Sequence, residues 1–232
     1  MNTLSKDFIQ DNLMGPNVAL MFDELCGGIL PTSTDALICD LGCGAGLSSL
    51  LAAQAYPGTI YAVDSWNTPE ENRARFDAFD FGSRIKAIQA DAPVLPFQPN
   101  FFDALFSLDS YHYFGREKGV IDAIAGYVKP GGTILLSFPG LVRPLDDDMM
   151  NVFSASWTSE QMAYIRTIAW WRDLLSESGA VSLDSIEEMD CYAQAWADWL
   201  ACDNEYARGD RAAMQSGGLG LMNLIQVKLT VL

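Results

Sequence analysis

The sequence predicts an α/β fold in which a parallel sheet is covered by helices on both faces. Three observations predict it. Short apolar runs rich in strand formers alternate with stretches long enough for helices. Three glycines, Gly42, Gly44 and Gly46, stand between the first of these runs and the first helical stretch, where a strand turns into a helix. Half of the 232 residues are hydrophobic, enough for one sizeable core.

Up to about residue 30 the chain reads as one or two helices. "FIQDNL" and "NVALMFDEL" flank a break at Gly15-Pro16, and Asn17 is placed to open the second helix. The runs "ALICDL", "TIYAVD", "RIKAIQA" and "FDALFSL" are the first four strands. Between them "LSSLLAAQAY", "EENRARFDAF" and "GREKGVIDAIAGYV" are helices. Pro130-Gly131-Gly132 is expected to stop a helix and lead into a fifth strand, "TILLSF". "LVRPLDDDMM" reads as a loop with an acidic run. "SWTSEQMAYIRTIAWWRDLLSESG" reads as one capped helix closed at Gly179, and residues 191–214 as another long helical segment. "MNLIQVKLTVL" is the final strand.

Composition narrows the function classes. A net charge of −16, with 14 scattered Lys and Arg, disfavours duplex nucleic acid and anionic membrane surfaces as partners. No run approaches the roughly 20 apolar residues of a membrane span, and the N-terminus lacks the pattern of a signal peptide. Five widely spaced cysteines suit free thiols in a reducing, cytoplasmic setting. Cys39 and Cys43 are too close to the glycine loop, and too short of partners, for a zinc site, so no metal is expected.

The glycine loop permits a tight turn and close approach of a ligand to the backbone. The alternative is an ordinary turn. The next strand favours the ligand: Asp64 ends it about 20 residues beyond the loop, where a carboxylate accepts from a ribose diol. Asp40 and Asp91 stand at the ends of the first and third strands. A nicotinamide dinucleotide is disfavoured, because the third glycine of G-x-G-x-x-G would be at position 47, which is leucine. A triphosphate is disfavoured by three acids and almost no cations.

The series "DLGCGAG", "YAVD", "ADAPVLPF", "FFDALFSLDSYHYF" and "VKPGGTILLSF", in this order and spacing, resembles the motifs of class I S-adenosylmethionine-dependent methyltransferases over about residues 15–140. The resemblance is closest to the small-molecule branch with the ubiquinone/menaquinone methyltransferases and the cyclopropane fatty acid synthase-like proteins. It implies a Rossmann-like, doubly wound, seven-stranded sheet, mostly parallel with an antiparallel last strand. A single domain, 1–232, would then comprise an N-terminal helical lid (1–30), a cofactor-binding core (31–140), a helical insertion after strand five near the substrate pocket (141–180) and a strand-helix-strand ending (181–232). S-adenosylmethionine, a sulfonium without phosphates, suits acids better than lysines. The resemblance implies that Asp40, Gly42, Cys43 and Gly44 border the methionine and ribose and that Asp64 takes the ribose hydroxyls. Ser65 and Trp66 would lie by the adenine, Asp91 and Ala92 at its edge, and Ser107 and Leu108 on the sulfonium side. Asn17 is either a helix cap or a contact to the amino-acid end.

Methyl transfer is an in-line displacement in which the enzyme supplies alignment and a dry pocket. If the acceptor carries a proton, the candidates for a base come after the fourth strand: Asp109, Tyr111, His112 and Tyr113. His112, the one histidine, is either a base or a structural hydrogen bonder. Tyr164, Ile168, Trp171 and Leu175 share a helical face and read as core, leaving Trp170 to line the pocket or stand half exposed. Tyr192, Trp196, Trp199 and Tyr206 share another face, with Asp203 among them. That carboxylate either pairs with an arginine or holds a cationic or hydroxyl-bearing substrate. The expected activity is methyl transfer to a small molecule. Methylene transfer to a lipid, as in cyclopropane synthases, and a non-catalytic cofactor-binding protein are the alternatives.

Overall fold

A computed structural model describes residues 4–79 and 81–232; the first three residues of the expected lid lie outside them. Two helices open the chain, α1 (Lys6–Asp11) and α2 (Val18–Cys26). Then β1 (Leu37–Leu41), α3 (Leu47–Ala55), β2 (Thr59–Asp64), α4 (Pro69–Phe76), β3 (Ile85–Gln89) and β4 (Phe102–Leu108) alternate. After them come α5 (Tyr111–Phe114), α6 (Val120–Ala125) and β5 (Val128–Leu141). The remainder is α7 (Asp147–Phe153), α8 (Ser159–Met162), β6 (Arg166–Thr167), α9 (Ile168–Ser176), β7 (Val181–Glu188), α10 (Tyr192–Ala201), α11 (Glu205–Gln215) and β8 (Met222–Val231).

The sheet order is β3-β2-β1-β4-β5-β8-β7. The first five strands are parallel, and β8 runs antiparallel to both β5 and β7. The seven-stranded path and its antiparallel last strand are as expected; a two-residue β6 adds to them, pairing with the end of β5. Chain direction across the sheet reverses between β1 and β4, and the carboxyl ends of these strands form a crevice. Alternate residues of β1 serve two cores. Ile38 faces α2 and α3, while Cys39 and Leu41 face the layer of Tyr111, Ile124 and Trp171.

Four expectations need correction. Helix α6 ends at Ala125, and Pro130-Gly131-Gly132 lies within β5 instead of stopping a helix. The acidic run opens α7: Asp146 caps it, its carboxylate accepting from Met149 N at 2.9 Å, and Asp147 and Asp148 sit in the positive first turn. The expected helix through 156–179 is two. Thr158 caps α8, and Thr167 caps α9 by accepting from Trp170 N at 3.2 Å. Tyr164 therefore lies in the connection, although Trp171 and Leu175 are core as read. The segment 191–214 also breaks. Asn204 caps α11 by accepting from Ala207 N at 2.8 Å, and Arg211 donates back to the carbonyls of Leu200 and Cys202 at the end of α10.

Candidate functional site

A cavity of about 320 Å³ lies at the carboxyl ends of β1 to β4. Its floor is the glycine loop. Gly42, Gly44 and Gly46 all have left-handed φ values, +77°, +53° and +83°. Gly42 N and Cys43 N donate to Val63 O at 2.8 and 3.1 Å, folding the loop back onto β2. A Cβ on Gly42 would lie 1.9 Å from Ser110 Oγ, so the crossing of loop and β4 end admits glycine alone.

Asp64 is held for a task. Its Oδ2 accepts from Gly44 N at 2.9 Å and its Oδ1 from Trp66 N and Asn67 N at 2.9 and 2.7 Å. Three backbone donors thus fix the carboxylate at the cavity wall. Gly42, Cys43, Gly44, Ser65, Trp66, Asp91, Ala92 and Leu108, which the resemblance implies for the cofactor, line the same cavity. Trp66 is 77 % exposed, with its ring centroid 6.1 Å from that of Tyr113. Among the described residues no lysine or arginine lines the cavity.

Several expected site residues stand elsewhere. Asp40 is fully buried beneath the loop, where it accepts from Ser48 Oγ and Ser49 Oγ at 2.6 Å each. Burial pushes its carboxyl up to about 7 against the opposing effect of those hydroxyls. It ties α3 to β1 and does not reach the cavity. Asn17 caps α2, its Oδ1 accepting from Ala19 N at 2.9 Å and its Nδ2 donating to Asp198 Oδ2 at 2.6 Å. Ser107 is buried one layer back, 3.0 Å from Ser110 Oγ; Ser110 is the residue at the wall. Tyr111 is packed against Phe138 and Trp171 on the far face of the sheet and lines neither the cofactor-side cavity nor the one beyond it. Trp170 also lies in that layer, under the Arg166 guanidinium. Asp203 is in the α10–α11 connection, its side chain 93 % exposed and paired with Arg208 at 2.6 Å. The ion-pair alternative is the one the structure shows, because the helix break removes Asp203 and Tyr206 from the aromatic face.

A second cavity, of about 180 Å³, shares Met14, Gly15, Asp109 and Tyr113 with the first. Asp109 is the hinge between them. Its φ is +56°, and its N–H donates to Ser137 O at 2.7 Å, which turns the side chain up against Gly15. Burial, and then the charge of Asp210, push its carboxyl up to about 8. His112 lines the second cavity and is 2 % exposed. Burial and the nearby Arg116 hold its imidazole down at about 3, so it stays neutral. Asp210, Trp157, Trp196 and Met14 are lining residues that sequence reasoning missed. Asp210 and Trp157 meet only in three dimensions, 53 residues apart, and no local pattern announces the pair.

The doubly wound sheet sets a glycine-floored cavity at its switch point, and no lysine or arginine lines that cavity among the described residues. Residues 39–136 match the "Methyltransferase domain" family. Among curated proteins, 27-O-demethylrifamycin SV methyltransferase of Amycolatopsis mediterranei is 30% identical over 111 residues, 47% of this chain and 40% of that one. The ubiquinone biosynthesis O-methyltransferase of Xylella fastidiosa is 33% identical over 105 residues, 44% of this chain and 41% of that one. The chain thus matches about two fifths of the length of each. Among solved structures, geranyl diphosphate C-methyltransferase from Streptomyces coelicolor A3(2) shares the fold at a TM-score of 0.73 and 13% identity, covering 93% of this chain and 80% of that one. Residues 39–136 are thus similar to methyltransferase domains, and the fold is shared with a solved methyltransferase that holds S-adenosyl-L-homocysteine.

Proposed function

We propose that the chain transfers the methyl group of S-adenosylmethionine to a small molecule and releases S-adenosylhomocysteine. The observation that carries this reading is the first cavity, where a carboxylate fixed by three backbone donors faces a glycine floor and no cation stands among the described lining residues. A sulfonium ligand fits such walls, and phosphates would be repelled. Asp64 is assigned the ribose hydroxyls through Oδ2, which takes only the Gly44 N–H, whereas Oδ1 accepts from Trp66 N, Asn67 N and Asn67 Nδ2. Gly42, Cys43 and Gly44 offer close backbone approach along the methionine. Ser65 and Trp66 are assigned to the adenine face, Asp91 and Ala92 to its edge, and Leu108 to the side where the two cavities meet. Met14, from the connection between α1 and α2, also lines the cavity, its sulfur accepting from Ala45 N at 3.3 Å. The protein's part is to align the reacting atoms and keep water out.

Calorimetric titration with S-adenosylmethionine and S-adenosylhomocysteine, with NADH as control, tests the reading. Saturable one-site binding of both sulfur ligands is expected, weakened at least about tenfold in Asp64→Ala, the loss of one or more charge-assisted hydrogen bonds. A folded protein that binds neither ligand overturns it.

A further inference from the structure

The second cavity has a chemical character of its own. Trp157, Tyr164 and Trp196 join Tyr113 in its walls. Two carboxylates reach it, Asp109 from the end of β4 and Asp210 from α11, while no lysine or arginine lines it among the described residues. Asp210 is fixed in place by the indole N–H groups of Trp157 and Trp199, which donate to its two oxygens at 2.8 Å each. Two further polar groups lie nearly closed off from solvent without a protein partner: Nε1 of Trp196, whose residue is 3% exposed, and Nδ1 of His112. Both residues line this cavity.

We propose that this cavity takes the methyl acceptor and that the acceptor is a compact amine, its ammonium held by Asp109 and Asp210 against the aromatic faces. The proposal rests on the methyltransferase reading above. A single positive charge takes the place of the proton that burial and Asp210 leave on Asp109, offsets the repulsion between the two carboxylates once both are ionised, and is attracted to the indole and phenol faces. A carboxylate or phosphate acceptor would meet two like charges in the lining, with Arg116 behind the Tyr164 ring, 4.2 Å from its centroid. An alcohol would leave the repulsion in place. Asp109, shared by both cavities, takes the proton that the ammonium must lose. The freed nitrogen lone pair then forms the new N–C bond, the methyl–sulfur electron pair stays on sulfur, and the proton passes from Asp109 to solvent. The positive charge thus moves from sulfur to nitrogen.

The test is calorimetric titration of the protein loaded with S-adenosylhomocysteine. The probes are benzylamine and phenethylamine, each beside its alcohol and its carboxylate counterpart. At least one amine is expected to bind about tenfold or more tighter than its alcohol, with no binding of the carboxylates, as a desolvated cation–carboxylate contact requires. Asp109→Asn is expected to weaken the amine and leave the alcohol unchanged. Ile165→Trp, which fills the cavity from its wall, is expected to abolish amine binding while S-adenosylhomocysteine still binds. The proposal is overturned if a protein that binds S-adenosylhomocysteine takes no amine, takes alcohol as tightly, prefers a carboxylate, or keeps its amine affinity in Ile165→Trp. Failure to bind S-adenosylhomocysteine at all overturns the methyltransferase reading first, and the amine proposal with it.

Discussion

Asp40 shows how a motif residue can be recognised and its work misjudged. The sequence places an acid directly before the glycines, and strand alternation decides which way it points. With Leu41 turned to one face, Asp40 must turn to the other, under α3, where Ser48 and Ser49 receive it. Its carboxyl is pushed up to about 7 by burial, whereas the unfolded chain would hold it near 3.8. Between those two values the folded state keeps a proton that the unfolded state has lost. Stability from this group is therefore complete below about pH 4 and declines as pH rises toward 7, by at most about 1.4 kcal/mol per pH unit. Asp40→Asn is expected to flatten that decline while keeping a carbonyl acceptor for the two serines. Urea midpoints at pH 5 and pH 7.5 measure it, and an unchanged slope would mean that Asp40 is ionised when folded. Asp109, pushed up to about 8, contributes a decline of the same sign that remains in the variant. The acids Asp64 and Asp91 were legible because one ends β2 and the other follows β3 by two residues, and both line the crevice. Asp210 was illegible because its neighbours Trp157 and Trp199 come from other parts of the chain.

Elements were legible where periodicity and stop signals agreed. The alternation from β1 to β4 tracks the apolar runs closely, because parallel strands buried on both faces read as continuous hydrophobic stretches. The helical regions after β5 were harder. The apolar spacing of residues 156–179 runs through Thr158 and Thr167, so a helical stripe masks two separate starts. Likewise Asp203-Asn204 interrupts a pattern whose aromatics suggest one helix. Asn17 shows a cap read correctly as one of two alternatives. It satisfies the first turn of α2 and reaches α10 through Asp198. Asn17→Ala is expected to cost about 1–2 kcal/mol of stability, the loss of a cap and of a hydrogen bond to a carboxylate. S-adenosylhomocysteine affinity should stay within about twofold, since a cap acts on the helix and leaves direct ligand contacts in place. A denaturation curve beside a titration separates the two roles: a large loss of affinity at unchanged stability would return Asn17 to the ligand.

At the scale of the whole molecule the charge of −16 and the walls of both cavities, which hold no lysine or arginine among the described residues, act in one direction. A negative field raises the local concentration of cations and opposes anions over several ångströms, and salt screens it with a Debye length of about 10 Å at 0.1 M. S-adenosylmethionine carries a sulfonium that S-adenosylhomocysteine lacks, while the rest of the two molecules is the same. Their difference therefore isolates the electrostatic part of binding from the contacts proposed for the glycine floor and Asp64. Affinity for S-adenosylmethionine is expected to fall about three- to tenfold between 20 mM and 500 mM sodium chloride, a range over which exposed charges become screened. S-adenosylhomocysteine should change by less than about twofold under the same conditions, having no net charge for the field to act on. The two calorimetric series decide it. Equal salt dependence would assign cofactor preference to local contacts alone. A dependence confined to the sulfonium ligand would show that the acidic surface and the acidic cavities together favour the substrate over its product, which helps the product leave.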